Sequence, residues 1–366
     1  MIEEGKFGVQ ESVCLTTTAI SAKIFLTSPA YLTNFVGTAG WQMTTISCLT
    51  SMLAFAFIYL LLKRFPNTDV VAIFNSSLGP FVGFIFSITF LAAFLQSAST
   101  LLREYTDVIK VYVYPDTPMS IILGTFTVAV IIASYLGLES IARISKLTAY
   151  IMASAYALLL LLAMKNYNIT NLFPISGYGI DRTIIHGLKR SSAYDEVLIL
   201  SVFAGSLQGA KYVKKAGFIS LILSGIIIGG GLLCFNLAFP YQSTQELTAP
   251  IYVLARGIKQ GTFFQRLDPI FIFLWNFASF IAVSILFYCA VSIYCKMFKI
   301  NDKRPVIFPM AVLLFTFAAM PKDFSSVIEG SVQTLREYGW SIFYVLPLIT
   351  LIVSAIRKKK GETNGA

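Results

Sequence analysis

The sequence predicts an all-α membrane protein with ten transmembrane helices. Hydrophobic residues make up 56% of its 366 residues and charged residues only 13%, about half of the roughly 25% charge of a soluble domain. The runs 41–62 and 81–102 contain no charged residue, and about 20 such residues cross a bilayer as a helix. Helices are required because lipid offers no hydrogen-bond partner for backbone N–H and C=O groups.

The apolar runs divide the chain into ten predicted spans within one membrane domain, residues 1–366. Prolines fall between several of the runs, for example at Pro66, Pro115, Pro240 and Pro321. Proline breaks a helix interior, so these positions favour loops. The predicted spans are 8–32, 41–62, 79–102, 118–137, 146–164, 182–208, 216–239, 269–295, 305–320 and 339–356.

The net charge of +10 indicates a membrane orientation rather than nucleic-acid binding. With the N-terminus inside, most Lys and Arg residues lie in short inner loops and in the C-terminal tail, for example Lys211, Lys214, Lys215 and the run 357–360. Cytoplasmic loops of membrane proteins are enriched in these two residues. The distribution predicts that both termini are cytoplasmic, which agrees with an even number of spans.

The first and sixth predicted spans are unusually polar. The segment 14–29 is rich in hydroxyl side chains and contains Lys23 near its middle, followed by Pro29. The sixth span contains Asp195 and Glu196, although a lone Asp at a helix centre costs about 2.5–3.5 kcal/mol on insertion scales. Irregular backbone at membrane depth is tolerated where it lines a cavity. We therefore expect both helices to be interrupted.

Two interrupted helices five spans apart are typical of a five-plus-five inverted repeat, in which the breaks meet at the midplane and hold a ligand. Helix N-termini at such breaks attract a carboxylate, and unpaired carbonyls attract an ammonium group. An amino acid carries both groups. The predicted ligand-binding residues are Ser21, Ala22, Lys23, Gln96, Thr100, Ala193, Tyr194, Asp195, Glu196, Ser279, Ser284 and Tyr288.

Lys23 allows two interpretations. A charge in the bilayer interior normally has a partner, so Lys23 either faces Glu196 or Asp195 across the cavity or binds the ligand carboxylate directly. Alternatively, Lys23 extends to an interface while the two acids form an N-terminal helix turn, where carboxylates are favoured. The sequence alone leaves both interpretations open.

The sequence argues against an enzyme, a metal site or a cofactor. The single histidine is His186, and no HExxH or GxSxG motif occurs. The five cysteines lie in apolar segments without a CxxC pair, as expected of buried thiols that behave as small hydrophobic groups.

Several short motifs are spread in order over most of the chain. The most specific is the segment 264–275, which reads Phe-Gln-Arg-Leu-Asp-Pro-Ile-Phe-Ile-Phe-Leu-Trp. The others are Arg64–Pro66, Leu78–Gly83, Leu102–Glu104, Pro115–Pro118, Gly137–Arg143, Asn171–Pro174, Tyr212–Lys215 and Ala249–Arg256. Together these motifs resemble the spore germination receptor B-subunit (GerAB-type) permeases of the amino acid–polyamine–organocation transporter superfamily.

This resemblance implies a LeuT-like fold in the inner membrane of dormant endospores and assembly with A and C subunits into a germinant receptor. It also implies that a small nutrient, commonly an amino acid, binds between the first, third, sixth and eighth spans. The family often has a Gly-x-Gly pair where this chain has Ala22 and Ile24 around Lys23. Sensing of the nutrient and its coupled transport with protons or cations remain alternative functions.

Overall fold

The computed structural model describes residues 7–26, 28–66, 68–205, 207, 209–244, 247, 249–258 and 268–360. Thr27 of the first predicted span, Ser206 and Gln208 of the sixth, and Phe264–Leu267 of the most specific motif lie outside the described residues. The regular secondary structure of the described residues is helical throughout, which confirms the predicted all-α class.

Sixteen α-helices follow one another along the described chain, joined by 3₁₀ and π-helical turns. The first eight are α1 (Val9–Ser21), α2 (Ser28–Val36), α3 (Gly40–Arg64), α4 (Val70–Leu78), α5 (Pro80–Tyr112), α6 (Met119–Leu136), α7 (Leu138–Leu162) and α8 (Ile180–Lys189). The others are α9 (Ile199–Val202), α10 (Ala210–Ala238), α11 (Tyr241–Thr244), α12 (Pro250–Gly257), α13 (Asp268–Met297), α14 (Arg304–Ala319), α15 (Gln333–Trp340) and α16 (Leu346–Ile356).

Seven helical stretches of the described chain are long and apolar enough to cross a membrane, and α14 forms a shorter apolar helix. The seven are Pro29–Arg64, Pro80–Tyr112, Met119–Leu136, Leu138–Asn166, Ala210–Ala238, Phe271–Met297 and Ser326–Ile356. The share of residues buried within the protein differs among them, and it is highest, 83%, in the most apolar part of Phe271–Met297. α13 is therefore the central helix of the bundle, and the chain is a multipass membrane protein.

Three helices extend beyond the spans predicted from the sequence. The predicted span 79–102 corresponds to α5, which continues to Tyr112 because Arg103 forms a buried ion pair with Asp107 one turn later. The predicted span 146–164 corresponds to α7, which begins at Leu138. The predicted span 339–356 ends a helical stretch that begins at Ser326 and includes Arg336.

The first and sixth predicted spans are interrupted helices. A 3₁₀ turn over Ala22–Phe25 follows α1, and Leu26 is extended before α2 begins. A 3₁₀ segment over Arg190–Leu198 separates α8 from α9. Runs of 3₁₀ helix longer than three or four residues are uncommon and often mark a functional hinge. This segment has nine.

Candidate functional site

The two interrupted segments meet through Lys23. Its ammonium group donates hydrogen bonds to the carboxylate of Glu196 and, at 3.0 Å, to the carbonyl oxygen of Ala193, and it lies 3.5 Å from Oδ1 of Asp195. All three charged side chains are at most 7% exposed. The alternative in which Lys23 extends to an interface is therefore wrong, and the ion-pair hypothesis is confirmed for both acids.

The first interruption follows from its local sequence. Pro29 is the second residue of α2, a position where its missing N–H has no helical partner to lose. The chain is extended at Leu26, before α2 begins. The turn therefore forms without the Gly-x-Gly pair, and the 3₁₀ geometry at Lys23 places its side chain against the sixth segment.

The second interruption is stabilised by polar side chains from neighbouring helices. On α3, the hydroxyl of Ser51 donates to the carbonyl oxygen of Ser191 at 2.8 Å. On α15, Nη1 of Arg336 donates to the carbonyl oxygen of Ser192 at 3.1 Å, and the hydroxyl of Ser192 donates to the carbonyl oxygen of Arg336 at 2.7 Å. These contacts supply the hydrogen bonds that an irregular backbone lacks in lipid.

A small polar cavity lies beside the ion-paired cluster. Its volume is about 20 Å³, room for about one water molecule. Charged groups of both signs line it, with polar and apolar side chains from α5 and from the helical stretch that contains α15. The lining residues are Lys23, Ser97, Thr100, Leu101, Glu104, Asp195, Glu196, Val332, Leu335 and Arg336. The cavity can therefore contact a small solute that carries charges of both signs.

Four of the twelve predicted ligand-binding residues line this polar cavity, namely Lys23, Thr100, Asp195 and Glu196. Two more of the predicted residues contact side chains that line the cavity. The carbonyl oxygen of Ala193 accepts from Lys23, and the amide of Gln96 donates to the hydroxyl of Thr100 at 3.2 Å.

The other six predicted residues do not line the polar cavity. Ser21 and Ala22 line a separate apolar cavity, and the hydroxyl of Tyr194 lies 3.0 Å from that of Thr44 on α3. The remaining three, Ser279, Ser284 and Tyr288, are buried on α13. The ring of Tyr288 packs on that of Phe203 and under the ammonium group of Lys303.

Glu104 and Arg336 line the polar cavity but are not among the residues predicted from the sequence. Glu104 lies two residues after the predicted span 79–102, and Arg336 lies three residues before the predicted span 339–356, so both fall outside the predicted spans. Both are adjacent to apolar runs. A charge within about one helical turn of a predicted span end is a signal that could have placed them inside the bundle.

Comparison with known proteins connects this geometry to a family. The sequence model of the family described as "Spore germination protein" matches residues 10–327. Spore germination protein KB of Bacillus subtilis (strain 168) is 24% identical over 336 residues, which cover 90% of each chain. Spore germination protein A2 of the same organism is 22% identical over 368 residues, which cover 97% of each chain.

Solved structures show the same fold. A Na⁺-coupled sialic acid symporter superposes with a TM-score of 0.67 at 11% identity, covering 94% of this chain and 79% of that one. MhsT, solved in complex with L-phenylalanine, superposes with a TM-score of 0.62 at 14% identity, covering 98% and 91%. At these identities the likeness concerns the fold alone, which is the LeuT-type transporter fold. On the evidence of sequence and fold together, the chain belongs to the spore germination protein family.

Proposed function

We propose that this chain is the B subunit of a nutrient germinant receptor and that it binds an amino-acid-like nutrient at the polar cavity. The observation that carries the proposal is the Lys23 ammonium group, buried between Asp195 and Glu196 where two interrupted helices meet. Buried charges at membrane depth are costly and generally functional. The family membership supports a role in germination, since its relatives are named as spore germination proteins.

The cavity suits a zwitterion. Lys23 and Arg336 can pair with a ligand carboxylate, and Glu104, Asp195 and Glu196 can pair with a ligand ammonium group. The present cavity is too small for an amino acid, so binding requires the Lys23–Glu196 pair to separate. A zwitterion compensates for that loss because its carboxylate pairs with Lys23 while its ammonium group pairs with Glu196.

Such an exchange provides a sensing mechanism. A ligand shifts a conformational equilibrium only through its different affinity for the two states. In the closed state the internal ion pair occupies the site, and in the open state the nutrient takes its place. The movement of the two interrupted helices is then the signal that partner subunits, the A and C subunits of the receptor, detect.

The proposed topology has ten crossings in a five-plus-five repeat. The count of ten is supported if α2 is assigned to the first interrupted segment and α3 to the second crossing, with the six other long helices, the short α14 and the second interrupted segment as the remaining eight. The distribution of basic residues supports cytoplasmic termini. The proposed location is the inner membrane of the spore, where the outer helices contact the lipid bilayer.

The direct test is a germination dose-response curve with an equimolar mixture of L-amino acids, in spores that carry the chain with its partner subunits. Lys23→Met is expected to raise the half-maximal concentration at least about tenfold, the equivalent of 1.4 kcal/mol. Lys146→Met is the matched control, since Lys146 also pairs with a glutamate, Glu11 at 2.7 Å, and does not line the polar cavity. An unchanged dose-response curve for Lys23→Met would show that the nutrient does not bind at the polar cavity.

Coupled transport of an amino acid is the alternative function, and the transporter fold favours it. Uptake of radiolabelled amino acids into proteoliposomes that contain only this chain separates the two functions. Sensing predicts binding without sustained accumulation, and germination that is restored to a deletion strain only together with the partner genes. Robust accumulation by the isolated chain would establish transport instead.

A further inference from the structure

Basic side chains collect where α3, α4 and α16 end on one face of the protein. α16 packs against both of the other helices, and Arg64 is the last residue of α3. Arg357, Lys358 and Lys359 follow α16 directly and are exposed. Arg64 and these three residues form the basic cluster. In the proposed orientation the cluster lies on the cytoplasmic face of the membrane.

The basic cluster donates to backbone carbonyl oxygens instead of forming ion pairs. Nη1 of Arg357 donates to the carbonyl oxygen of Ser77 at 3.2 Å, and Nζ of Lys359 donates to that of Ser76 at 2.6 Å. Arg64 donates from Nε to the carbonyl oxygen of Lys359 at 2.7 Å and from Nη2 to a carbonyl oxygen of α16 at 2.9 Å. Within the described residues, none of the four is paired with a carboxylate. Their positive charges are therefore not compensated there.

Most N–H donors of the cluster are not engaged by these hydrogen bonds. A guanidinium group has five such donors and an ammonium group has three. The bonds to carbonyl oxygens use two of them on Arg64 and one each on Arg357 and Lys359. Phosphate oxygens accept charge-assisted hydrogen bonds, and arginine can offer two parallel donors to one phosphate. The cluster can therefore bind a phosphate and keep the contacts that join the three helices.

Lys358 has a backbone conformation that is usual for glycine. Its φ is 52°, and it is the residue after the C-cap in a Schellman motif. The N–H of Lys359 donates to the carbonyl oxygen of Ser354 at 3.0 Å, and the N–H of Lys358 donates to that of Ala355 at 3.2 Å. Glycine is common at this position because a Cβ is unfavourable there. Such strain is concentrated at functional sites, which indicates a role for the Lys358 side chain.

The surroundings of the cluster favour a lipid over a soluble anion or an acidic protein segment. Arg64 and Ile356 are the terminal residues of two membrane spans, which places the cluster at the level of the lipid headgroups. Exposed apolar side chains lie within the last turns of both helices, Leu60 on α3 and Ile352 and Ile356 on α16. Groups of about 4–8 basic residues next to a span are typical of binding to anionic lipids.

We propose that the basic cluster binds the headgroup phosphate of an anionic phospholipid in the inner leaflet. Arg64 and Arg357 donate to the phosphate oxygens, and Lys358 and Lys359 add positive charge beside them. The acyl chains lie against the exposed apolar side chains of α3 and α16. A zwitterionic lipid binds less well because its own headgroup cation is repelled by the cluster. The site is separate from the polar cavity and does not depend on the identity of the nutrient.

Binding is measured on the purified full chain in detergent, without any nutrient. A ligand that binds only the folded chain raises its unfolding midpoint. Phosphatidylglycerol is expected to give half of its maximal rise at a concentration at least about tenfold below that of phosphatidylcholine with the same acyl chains. Equal concentrations for the two lipids would overturn the proposal. Inorganic phosphate should not reproduce the rise; an equal rise would make this a site for free phosphate and not for a lipid.

Two double variants remove the same amount of charge from the same face. Arg357→Gln with Lys359→Gln is expected to reduce the preference for phosphatidylglycerol at least about tenfold. Arg143→Gln with Lys146→Gln is the control, since each of these α7 residues is paired with a glutamate, and should keep the preference. The comparison of two lipids within one variant is independent of that variant's own stability. Equal losses in both variants would indicate a general attraction of the basic face and overturn the site.

Lys358→Gly separates the side chain from its backbone conformation. Lys299, at the end of α13, also has a positive φ, 54°, so Lys299→Gly is the matched control. Both variants should raise the unfolding midpoint without lipid, because glycine adopts this conformation without strain. Only Lys358→Gly should weaken the preference for phosphatidylglycerol, about fivefold. An unchanged preference would exclude Lys358 from the site, and a lower midpoint without lipid would contradict the strain assigned to it.

Discussion

Two buried ion pairs in this protein have similar chemistry and opposite structural contexts. Arg103 and Asp107 pair at 2.9 Å within one continuous helix, α5, and Arg103 also donates to the carbonyl oxygen of Ala318 at 3.1 Å. Lys23 and Glu196 are 173 positions apart and join two interrupted helices. The first pair fixes a helix to its neighbour, whereas the proposed mechanism requires the second pair to separate. In the proposed mechanism, position on an irregular backbone rather than charge distinguishes the ion pair that acts as a switch from the one that is a structural contact.

The largest expected effect is that of Glu196→Gln. Removing one partner of a buried ion pair typically costs about 3–5 kcal/mol, and Asp195 at 3.5 Å would be the carboxylate left to Lys23, beside the carbonyl oxygen of Ala193 at 3.0 Å. We expect a lower unfolding midpoint of the purified chain and loss of the amino-acid response in spores. Asp195→Asn is the matched comparison and should cost clearly less, because Glu196 remains hydrogen-bonded to Lys23. Equal losses for the two variants would show that Glu196 has no special role.

The second expected effect concerns the structural pair. Arg103→Met should lower the unfolding midpoint by a similar mechanism, because Asp107 is left buried without its partner. Replacing both residues, Arg103→Met with Asp107→Leu, should recover most of the stability, since well-packed apolar residues often replace a buried ion pair at little cost.

The amino-acid response of spores with the double replacement completes the comparison of the two ion pairs. Spores with the double replacement should keep the parent's half-maximal amino-acid concentration, because neither Arg103 nor Asp107 lines the polar cavity. A shifted concentration despite restored stability would mean that the α5 pair also takes part in the switch.

Particular residues show how much of this architecture the sequence predicted. Composition and apolar runs were sufficient to predict a helical membrane protein. Lys23, Asp195 and Glu196 indicated the two interruptions, because charges are rare at membrane depth. The proximity of Arg336 to a predicted span could have placed it inside the bundle, but its partner could not be predicted, since that partner is the backbone carbonyl of Ser192 in a distant segment. Tyr194 could not be assigned either, because the twist of a 3₁₀ segment determines which way its ring points, here towards Thr44.

A third, intermediate effect concerns the packing that supports the interruptions. The continuous helices α3 and α10 pack closely, and a Cβ at Gly217 would lie 2.1 Å from the ring of Phe55. Gly217→Ala should therefore destabilise the protein by about 1–3 kcal/mol, as overpacking does. Gly230→Ala on the same helix is the control, because its Cβ would meet no atom within 4 Å. Thermal unfolding of the purified variants checks this, and equal midpoints would contradict the close packing.

The smallest expected effect is that of Thr100→Val, which removes one hydroxyl from the polar cavity. A hydrogen bond of this kind contributes about 1 kcal/mol, so the half-maximal amino-acid concentration should rise about fivefold. Thr106→Val on the same helix is the control, since its hydroxyl bonds to the carbonyl oxygen of Leu102 and does not line the cavity. Identical shifts in the two strains would exclude Thr100 from nutrient recognition.

The most direct test of the account is a charge exchange between Lys23 and Glu196. The unfolding midpoint of the purified chain is measured for Lys23→Glu, for Glu196→Lys and for both together, which forms a double-mutant cycle. If the two interrupted helices meet through this pair, each single variant places like charges together and loses stability, and the double variant regains most of it. Losses that simply add in the double variant would show that the two side chains do not contact each other, and the proposed switch would have no basis.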